Sequence, residues 1–175
     1  MANTPCPSLY IFSGLPATGK TRLAKLLARK LSAAYLRVDT VEQGLRDLCD
    51  VSVEGEGYRL SYRIAAENVL IGVSVVADSC NPIELTRDEW QEVEEQAGAG
   101  CVNVETQCSD VTEHRVRAER RQSDIEGLVL PSWQAIENRE FHPWSAERIV
   151  VETSGRSIDE SFNELLAALE RRSCK

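Results

Sequence analysis

The residues best suited to chemistry stand in a short segment near the start of the chain. Gly14, four further residues, Gly19, Lys20 and Thr21 follow the spacing G-x-x-x-x-G-K-T, which is typical of loops that bind polyphosphates. Glycine lets such a loop turn sharply and aim its backbone N–H groups at the anion. Lys20 supplies a mobile charge for the β- and γ-phosphates, and the Thr21 hydroxyl suits a magnesium ligand. The motif predicts that the chain binds ATP with Mg²⁺.

The surroundings of this loop agree with the motif. An apolar run at 9–13 precedes it as a predicted strand, and apolar residues at helical spacing follow it over 20–32. The anion then faces the start of a helix, where unpaired amides and the macrodipole favour negative charge. An ordinary glycine turn before a helix is the competing interpretation. The predicted nucleotide-binding residues are Gly14, Leu15, Pro16, Ala17, Thr18, Gly19, Lys20 and Thr21, together with Arg117.

Asp39 is the candidate catalytic base. It stands near the end of a second predicted strand, 34–40, and open α/β sheets bind ligands where their strands end. A carboxylate beside the γ-phosphate can accept the proton of an attacking hydroxyl as the bond to phosphorus forms. The alternative is a structural role as a helix N-cap, which is common for Asp.

Asp78 ends a third predicted strand, 72–79. Its carboxylate suits a magnesium ligand acting through water, or a contact to the acceptor hydroxyl together with Ser79 and Asn81. A turn-forming role before Pro82 fits the pattern equally well.

Four arginines and no lysine crowd one predicted helix. Arg117 and Arg121 are four residues apart and share a helix face. Arg offers planar, multi-donor contact to phosphate oxygens, so this pair is predicted to act with Lys20 on the transferring phosphate. A solvated charge run, paired with Glu113 and Glu119, is the alternative. The four residues are Arg115, Arg117, Arg120 and Arg121.

A second stripe, Tyr58, Arg59, Tyr62 and Arg63, also has helical spacing. It suits the lining of an acceptor pocket, although such stripes are more often half core and half surface.

Strands and helices alternate along the whole chain, which predicts an α/β fold. The alternation indicates a five-stranded, mainly parallel sheet with helices on both faces and right-handed crossovers. The loop at 14–21, Asp39 and Asp78 then converge at one sheet edge. The predicted strands cover 9–13, 34–40, 72–79, 101–105 and 148–153. The predicted helices cover 20–32, two within 41–71, 84–97, 111–121 with Asp110 as N-cap, 132–140 and 158–171.

Composition bounds the possible partners. A chain of 175 residues, 42% of them hydrophobic, can bury one core, so a single domain over 1–175 is expected. A formal net charge of -8 disfavours a surface dedicated to nucleic acid or anionic membrane. No apolar run is long enough to span a membrane, and residues 1–7 lack the features of a signal peptide. We expect a soluble cytoplasmic protein, as a monomer or homodimer.

The cysteines indicate neither zinc nor disulfides. Six are scattered without a C-x-x-C pair, and the chain has two histidines. Reduced thiols are expected, with Cys80 and Cys101 as small apolar fillers near strands. The cysteines are Cys6, Cys49, Cys80, Cys101, Cys108 and Cys174.

With the loop at 14–21, Asp39, the segment 75–79 and the arginine helix, the chain resembles the small P-loop kinases. It is most similar to the compact AAA-type ATPase-like kinases, which include chloramphenicol phosphotransferase, the kinase half of polynucleotide kinase, zeta-toxin and gluconate kinase. The resemblance implies a three-layer P-loop NTPase fold with a short lid at about 115–140. It also implies that Asp39 activates the acceptor hydroxyl and that the lid supplies arginines.

One departure from these relatives concerns the acceptor. Polynucleotide kinases carry an arginine three residues beyond the aspartate, where this chain has Glu42. A carboxylate there would repel a phosphorylated acceptor, and it suits a hydroxyl or an amine instead. We therefore expect an ATP- and Mg²⁺-dependent phosphotransferase acting on a hydroxyl of a small molecule such as a metabolite, sugar or antibiotic.

Two alternatives stay open. A nucleoside or nucleotide kinase on the same scaffold would contact an acceptor phosphate through Arg46, Arg59 or Arg63. A nucleotide-dependent switch would couple ATP hydrolysis to a partner protein rather than to an acceptor.

Overall fold

A single five-stranded sheet lies at the centre of the molecule. The computed structural model describes residues 6–173, so most of the segment examined for a signal peptide, and Cys174, lie outside the described residues. All strand pairings are parallel, in the order β2-β3-β1-β4-β5. The strands are β1 (Ser8–Ser13), β2 (Ala34–Arg37), β3 (Val75–Asp78), β4 (Gly100–Gln107) and β5 (Ile149–Glu152).

Helices cover both faces of this sheet, because its central strands are apolar on both sides. In β1, Leu9 and Ile11 pack into one core and Phe12 into the other, as the two-residue period of a strand requires. Trp90 is buried in the first core and Leu165 in the second. The helices within 6–173 are α1 (Lys20–Leu31), α2 (Val38–Cys49), α3 (Glu56–Leu70), α4 (Glu84–Ala97), α5 (Val111–Arg120), α6 (Trp133–Glu137) and α7 (Ile158–Ser173).

This three-layer architecture confirms the predicted fold class. The second to fourth helices supply the first core and the first and last helices supply the second. The sheet is wholly parallel, where the sequence predicted a mainly parallel one. Over the described residues, no helix combines the length and the apolar character that a membrane crossing requires.

The predicted boundary of the second strand was wrong. β2 ends at Arg37, and Val38 already begins α2, so Asp39 lies in the first helical turn and not in a strand. A carboxylate is favoured there by the positive end of the helix dipole. Asp39 still follows β2 directly and therefore stays at the carboxyl edge of the sheet.

The predicted start of α5 is confirmed. Asp110 caps this helix, because its Oδ1 accepts a hydrogen bond from the Glu113 amide at 2.9 Å. The Glu113 side chain does not return to the cap, however. It binds Arg117 and the Gly155 amide, which links the helix to the loop after β5.

Asn81 joins three elements immediately after β3. Its Nδ2 donates to the Phe12 carbonyl and the Ser13 hydroxyl, each at 3.1 Å, and its Oδ1 accepts from Trp90 Nε1 at 3.1 Å. The side chain is fully buried, and its backbone has φ +44°, a conformation that Asn tolerates better than most residues. The suggestion that Asn81 contacts an acceptor was therefore wrong, because every polar atom of its amide is used inside the protein.

Replacing Asn81 with Ala should destabilise the fold by about 3 kcal/mol, because it leaves a buried carbonyl, hydroxyl and indole N–H without partners. Urea unfolding of the variant and the wild type measures the difference. Asn68→Ala is the control, since among the described residues the Asn68 side chain bonds only to the Ile64 carbonyl one turn back on α3. Equal losses in the two variants would contradict the structural role of Asn81.

Candidate active site

A cleft of about 1110 Å³ runs along the carboxyl edge of the sheet. The glycine loop after β1 lies in its middle, because β1 is the central strand. Arg117, Thr153 and Arg156 line the end near β5, and Asp39 and Glu42 line the end near α2. The cleft thus has two ends on either side of one phosphate-binding loop.

The loop between β1 and α1 has the backbone shape that a phosphate cradle needs. Gly14, Ala17 and Gly19 have φ values of +132°, +69° and +92°, so the chain turns tightly within a few residues. A Cβ on Gly14 would overlap the carbonyl oxygen of Thr106. This close approach explains why the first loop position is glycine.

The predicted loop residues divide into two groups. Gly14, Leu15 and Thr18 do not line the cleft. Thr18 Oγ1 instead donates to the Leu15 carbonyl at 2.9 Å and lies 2.8 Å from the hydroxyl of Thr106. These three residues therefore shape the loop, while the others face the cleft: Pro16, Ala17, Gly19, Lys20 and Thr21.

Two supports of the loop come from distant parts of the chain, and sequence reasoning missed both. His114 on α5 is buried, and its Nε2 donates to the Pro16 carbonyl at 2.8 Å. The edge of its ring packs against Trp133, with centroids 5.1 Å apart. The buried hydroxyl of Thr153 lies 2.9 Å from the Thr18 carbonyl. The loop is thus held from the lid side and from β5.

The position of Thr153 is itself fixed by Glu152. One oxygen of this carboxylate accepts hydrogen bonds from the amides of Ser109, Thr153 and Ser154, at 2.8 to 3.2 Å. Burial raises the pKa of Glu152, but the Ser154 and Ser109 donors outweigh this effect and lower it to about 2. The carboxylate is therefore charged at neutral pH and holds the loop after β5.

Asp39 presents its carboxylate to the cleft. Its side chain is half exposed, and the nearest cation is Arg37, whose Nε lies 3.6 Å from Oδ2. The helix cap position is occupied by Arg37, and Asp39 makes no capping hydrogen bond. The alternative of Asp39 as an N-cap was therefore wrong, and its carboxylate is accessible to a ligand.

Asp78 is placed differently. It is buried and does not line the cleft. Its Oδ2 accepts a hydrogen bond from the Tyr35 hydroxyl at 2.7 Å and lies 4.0 Å from Arg37 Nε. Burial and this carboxylate together raise the pKa of Tyr35. Asp78 thus helps to position Arg37, and its assignment as a magnesium ligand stays a prediction.

Three of the four arginines lie on α5 and Arg121 follows it directly, and the four do not share one place in the cleft. Arg117 lines the β5 end, where Nη1 and Nη2 donate to the hydroxyl and carbonyl of Thr153 at 2.9 and 2.7 Å. Arg121 also lines the cleft, and its buried Nε has no hydrogen-bond partner among the described residues. Arg120 lines the cleft too, whereas Arg115 pairs with Glu119 at 2.8 Å on the outside.

Arg121 faces the Asp39 end of the cleft. Burial lowers the pKa of its guanidinium, the neighbouring Cys80 and Asp39 raise it, and the cations Arg37 and Arg139 lower it further. Arg121 therefore lies among the groups at the α2 end, whereas Arg117 belongs to the opposite end.

The α2 end of the cleft contains a charge pair. Glu42 accepts a hydrogen bond from Arg46 Nη2 at 3.3 Å, one turn along the helix. Glu42 also packs against Gly57, where a Cβ would overlap its Cγ. The carboxylate is thus held in place and its charge is paired with that of Arg46.

The Tyr–Arg stripe on α3 is half core and half surface, and it does not line an acceptor pocket. Tyr62 is buried with its ring 4.6 Å from that of Trp90. Arg59 and Arg63 are exposed and do not line the cleft. Of the three arginines considered for an acceptor phosphate, only Arg46 lies in the cleft wall.

The segment 121–131 covers the cleft and is fastened to it by one carboxylate. Asp124 Oδ2 lies 2.6 Å from Lys25 Nζ, and its Oδ1 accepts from Arg37 Nη1 at 2.6 Å. Hydrogen bonds from Arg37 and then Lys25 hold the pKa of Asp124 well below its usual range. We call this three-residue contact the lid latch.

Solved structures with this architecture include small kinases and Kti12. The APS kinase CysC of Mycobacterium tuberculosis, solved with AMPPNP and APS, has a TM-score of 0.66 and 22% identity, over 95% of this chain and 99% of that one. A gluconokinase from Sinorhizobium meliloti has a TM-score of 0.67 and 17% identity, over 95% and 93%. Chaetomium thermophilum Kti12, solved with ADP-AlF3, has a TM-score of 0.63 and 20% identity, over 91% and 98%. The fold is that of the small P-loop kinases.

These neighbours confirm the predicted resemblance at the level of the fold. No protein-family model matches the chain, and no curated protein sequence matches it. We refer to the glycine loop as the P-loop and to the segment 121–131, which lies within the lid predicted at about 115–140, as the lid.

Replacing Gly14 with Ala should weaken nucleotide binding at least about tenfold and lower stability, because the new Cβ displaces Thr106 from the base of the P-loop. Calorimetric titration with an ATP analogue and urea unfolding measure the two effects. Gly72→Ala is the matched control, since Gly72 also has a positive φ, +88°, but open space around it. If the control loses as much nucleotide affinity as Gly14→Ala, the explanation by close approach is incorrect.

Replacing Asp124 with Asn should speed backbone hydrogen exchange in 121–131, because the lid latch loses its charge. In the wild type the latch is complete above the ordinary carboxyl pKa and is lost as the pH falls through the lowered value. Hydrogen exchange followed by mass spectrometry reports both effects. Glu126→Gln, an exposed change in the same segment, should leave exchange unaltered; unchanged exchange in Asp124→Asn would show that the latch does not hold the lid.

Proposed function

We propose that the protein is an ATP- and Mg²⁺-dependent phosphotransferase that moves the γ-phosphate of ATP to a hydroxyl of a small-molecule acceptor. The observation that carries this proposal is the single cleft with the P-loop in its middle and the Asp39 carboxylate at one end. The terminal phosphate of a nucleotide bound to the P-loop would point towards Asp39. The similarity to structures named APS kinase and gluconokinase supports it.

The residues around the P-loop fit a nucleotide. The positive φ values at Gly14, Ala17 and Gly19 produce the kind of turn that directs successive amides towards an anion. Lys20 is buried at the first position of α1 and lines the cleft. Arg117 is already held by Thr153, so it contacts the nucleotide without the loss of side-chain freedom that a mobile arginine would suffer.

The donor set also fits a magnesium ion in part. Thr21 lines the cleft next to Lys20 and offers the hydroxyl oxygen that hard cations accept. Bound Mg²⁺ would supply charge neutralisation at the phosphates. Within residues 6–173 no cluster of three His, Cys, Asp or Glu side chains could hold a metal ion. The proposal assigns the remaining ligands of this ion to the nucleotide and water, which is the usual arrangement for Mg²⁺.

At the acceptor end, Asp39 takes the proton of the attacking hydroxyl as that oxygen bonds to phosphorus. Arg37, 3.6 Å away, keeps the carboxylate oriented towards the cleft. Arg121 has an unpartnered Nε near this carboxylate and meets the negative charge of the phosphoryl group in transfer. The lid, held by Asp124, excludes water that would compete with the acceptor.

In this proposal the arginines of the chain's own cleft supply the positive charge that the transfer needs, and we place the enzyme in the cytoplasm, where ATP is available.

The proposal is tested by incubating the purified protein with ATP, Mg²⁺ and a library of hydroxyl compounds, and by following products by mass spectrometry. A product with one added phosphate, absent in Lys20→Ala, would support the proposal. Steady ATP hydrolysis that no library compound alters and that a protein partner stimulates would favour a nucleotide-dependent switch instead.

Asp39→Asn should keep nucleotide binding and lose transfer by about a hundred- to ten-thousand-fold, the usual cost of removing a positioned base. Asp50→Asn is the control, because Asp50 is an exposed residue at the other end of the same helix. Retained transfer in Asp39→Asn would contradict its assignment as the base.

A further inference from the structure

The charges of this protein are distributed very unevenly around the cleft. Ten of the 20 lysines and arginines line it, against three of the 28 aspartates and glutamates. A chain with a net charge of -8 therefore has a strongly basic cleft. The three acids are Asp39, Glu42 and Asp124.

The nucleotide accounts for only part of this positive charge. Lys20 and Arg117 lie at the P-loop and at the β5 end, where a nucleotide binds in the proposed function. Arg46 lies on α2, which follows β2 at the opposite edge of the sheet. Arg139 follows α6 and acts electrostatically on both Glu42 and Arg121. A second group of cations thus surrounds the acceptor end.

The nearby carboxylates do not pair with all of the cations at the acceptor end. Asp124 accepts a hydrogen bond from Arg37 in the lid latch. Glu42 accepts one hydrogen bond from Arg46 Nη2, at 3.3 Å. The Arg139 side chain makes no hydrogen bond or ion pair with any described residue. The buried Nε of Arg121 likewise has no partner among them. Guanidinium groups that face a cleft without partners are ready to bind an anion.

We propose that the acceptor carries an anionic group, a phosphate, sulfate or carboxylate, in addition to the hydroxyl that is phosphorylated, and that Arg46 and Arg139 bind this group. The proposal rests on the proposed function, because it names the substrate class of the same site. Glu42 is a positioning residue here. It is fixed against Gly57 and holds Arg46 at the cleft wall.

The geometry separates the two anions along the cleft. Asp39 is one turn of α2 before Glu42 and two turns before Arg46, so a group bound at Arg46 leaves the hydroxyl of a small acceptor near Asp39. Arg121 lines the same cleft beside Asp39 and Cys80. It therefore stays available to the transferred phosphate while Arg46 and Arg139 bind the acceptor.

Binding is tested first with inorganic sulfate, independently of catalysis. The protein is saturated with Mg²⁺ and a non-hydrolysable ATP analogue, so that the P-loop is blocked, and sulfate is titrated at constant ionic strength. The arginine Nε–Hε signals in NMR spectra report the contact. We expect saturable, concerted shifts of the Arg46 and Arg139 signals and at least about tenfold weaker binding in Arg139→Gln, in line with the loss of a charged hydrogen bond.

Arg59→Gln is the matched control, because Arg59 is exposed on α3 and does not line the cleft. It should leave sulfate binding unchanged. No saturable shift of the Arg46 and Arg139 signals would overturn the proposal, and so would equal weakening in Arg59→Gln and Arg139→Gln.

The second part compares matched acceptors that differ by one anionic group, adenosine with adenosine 5′-phosphate and glycerol with glycerol 3-phosphate. Phosphorylation that prefers the anionic member of a pair, with the preference lost in Arg139→Gln and Arg46→Gln, supports the inference. Transfer without such a preference, unaffected by either variant, overturns it and leaves the phosphotransferase standing. Sulfate binding at the two arginines without transfer to any hydroxyl compound supports the anion site and contradicts the proposed function.

Discussion

The P-loop cannot hold its own shape, and the rest of the structure depends on this constraint. A loop whose amides point at a phosphate has few backbone donors left for internal bonds. Its form is therefore imposed from outside. The Gly14 amide donates to the Cys80 carbonyl at 3.1 Å, and Thr106 fills the space behind Gly14. His114 and Thr153 hold the carbonyls of the remaining turns.

These supports connect the site to every layer of the fold. On one side of β1, Thr106 lies in β4 and Thr153 follows β5, and on the other side Cys80 follows β3. His114 belongs to α5, which also carries Arg117 and Arg120 and leads directly into the lid, so the position of this helix and the shape of the P-loop are linked. The lid latch adds a second link, because Asp124 binds Lys25 on α1 and Arg37 at the end of β2.

The sequence predicted the local features well and the long-range ones poorly. The P-loop and the cap at Asp110 are recognisable because their chemistry lies within a few consecutive residues. Val38 and Thr40 have β-branched side chains, which extended the second predicted strand and misplaced Asp39. His114 and Thr153 contact the loop across 98 and 135 residues, and a lone histidine or threonine gives no signal of such a contact.

The positions of the arginines were also beyond what the sequence could predict. Their number and type indicated a phosphate-binding role, but helical spacing placed Arg117 and Arg121 on one face. In the structure Arg117 is bonded to Thr153 after β5, whereas Arg121, the residue that ends α5, has Cys80 and Asp39 as neighbours. The position of Glu42 was likewise hidden, because its side chain packs against Gly57 from another helix, although its ion pair with Arg46 has the ordinary i,i+4 spacing of a helix.

The central claim is that the γ-phosphate leaves ATP for an organic hydroxyl and not for water. The most direct measurement follows ATP labelled in its γ-phosphate after mixing with the protein and a small-molecule extract, and separates inorganic phosphate from organic phosphate esters. The account predicts that the label accumulates in an organic ester only when the extract is present. Label that appears solely as inorganic phosphate, at a rate independent of the extract, would contradict it.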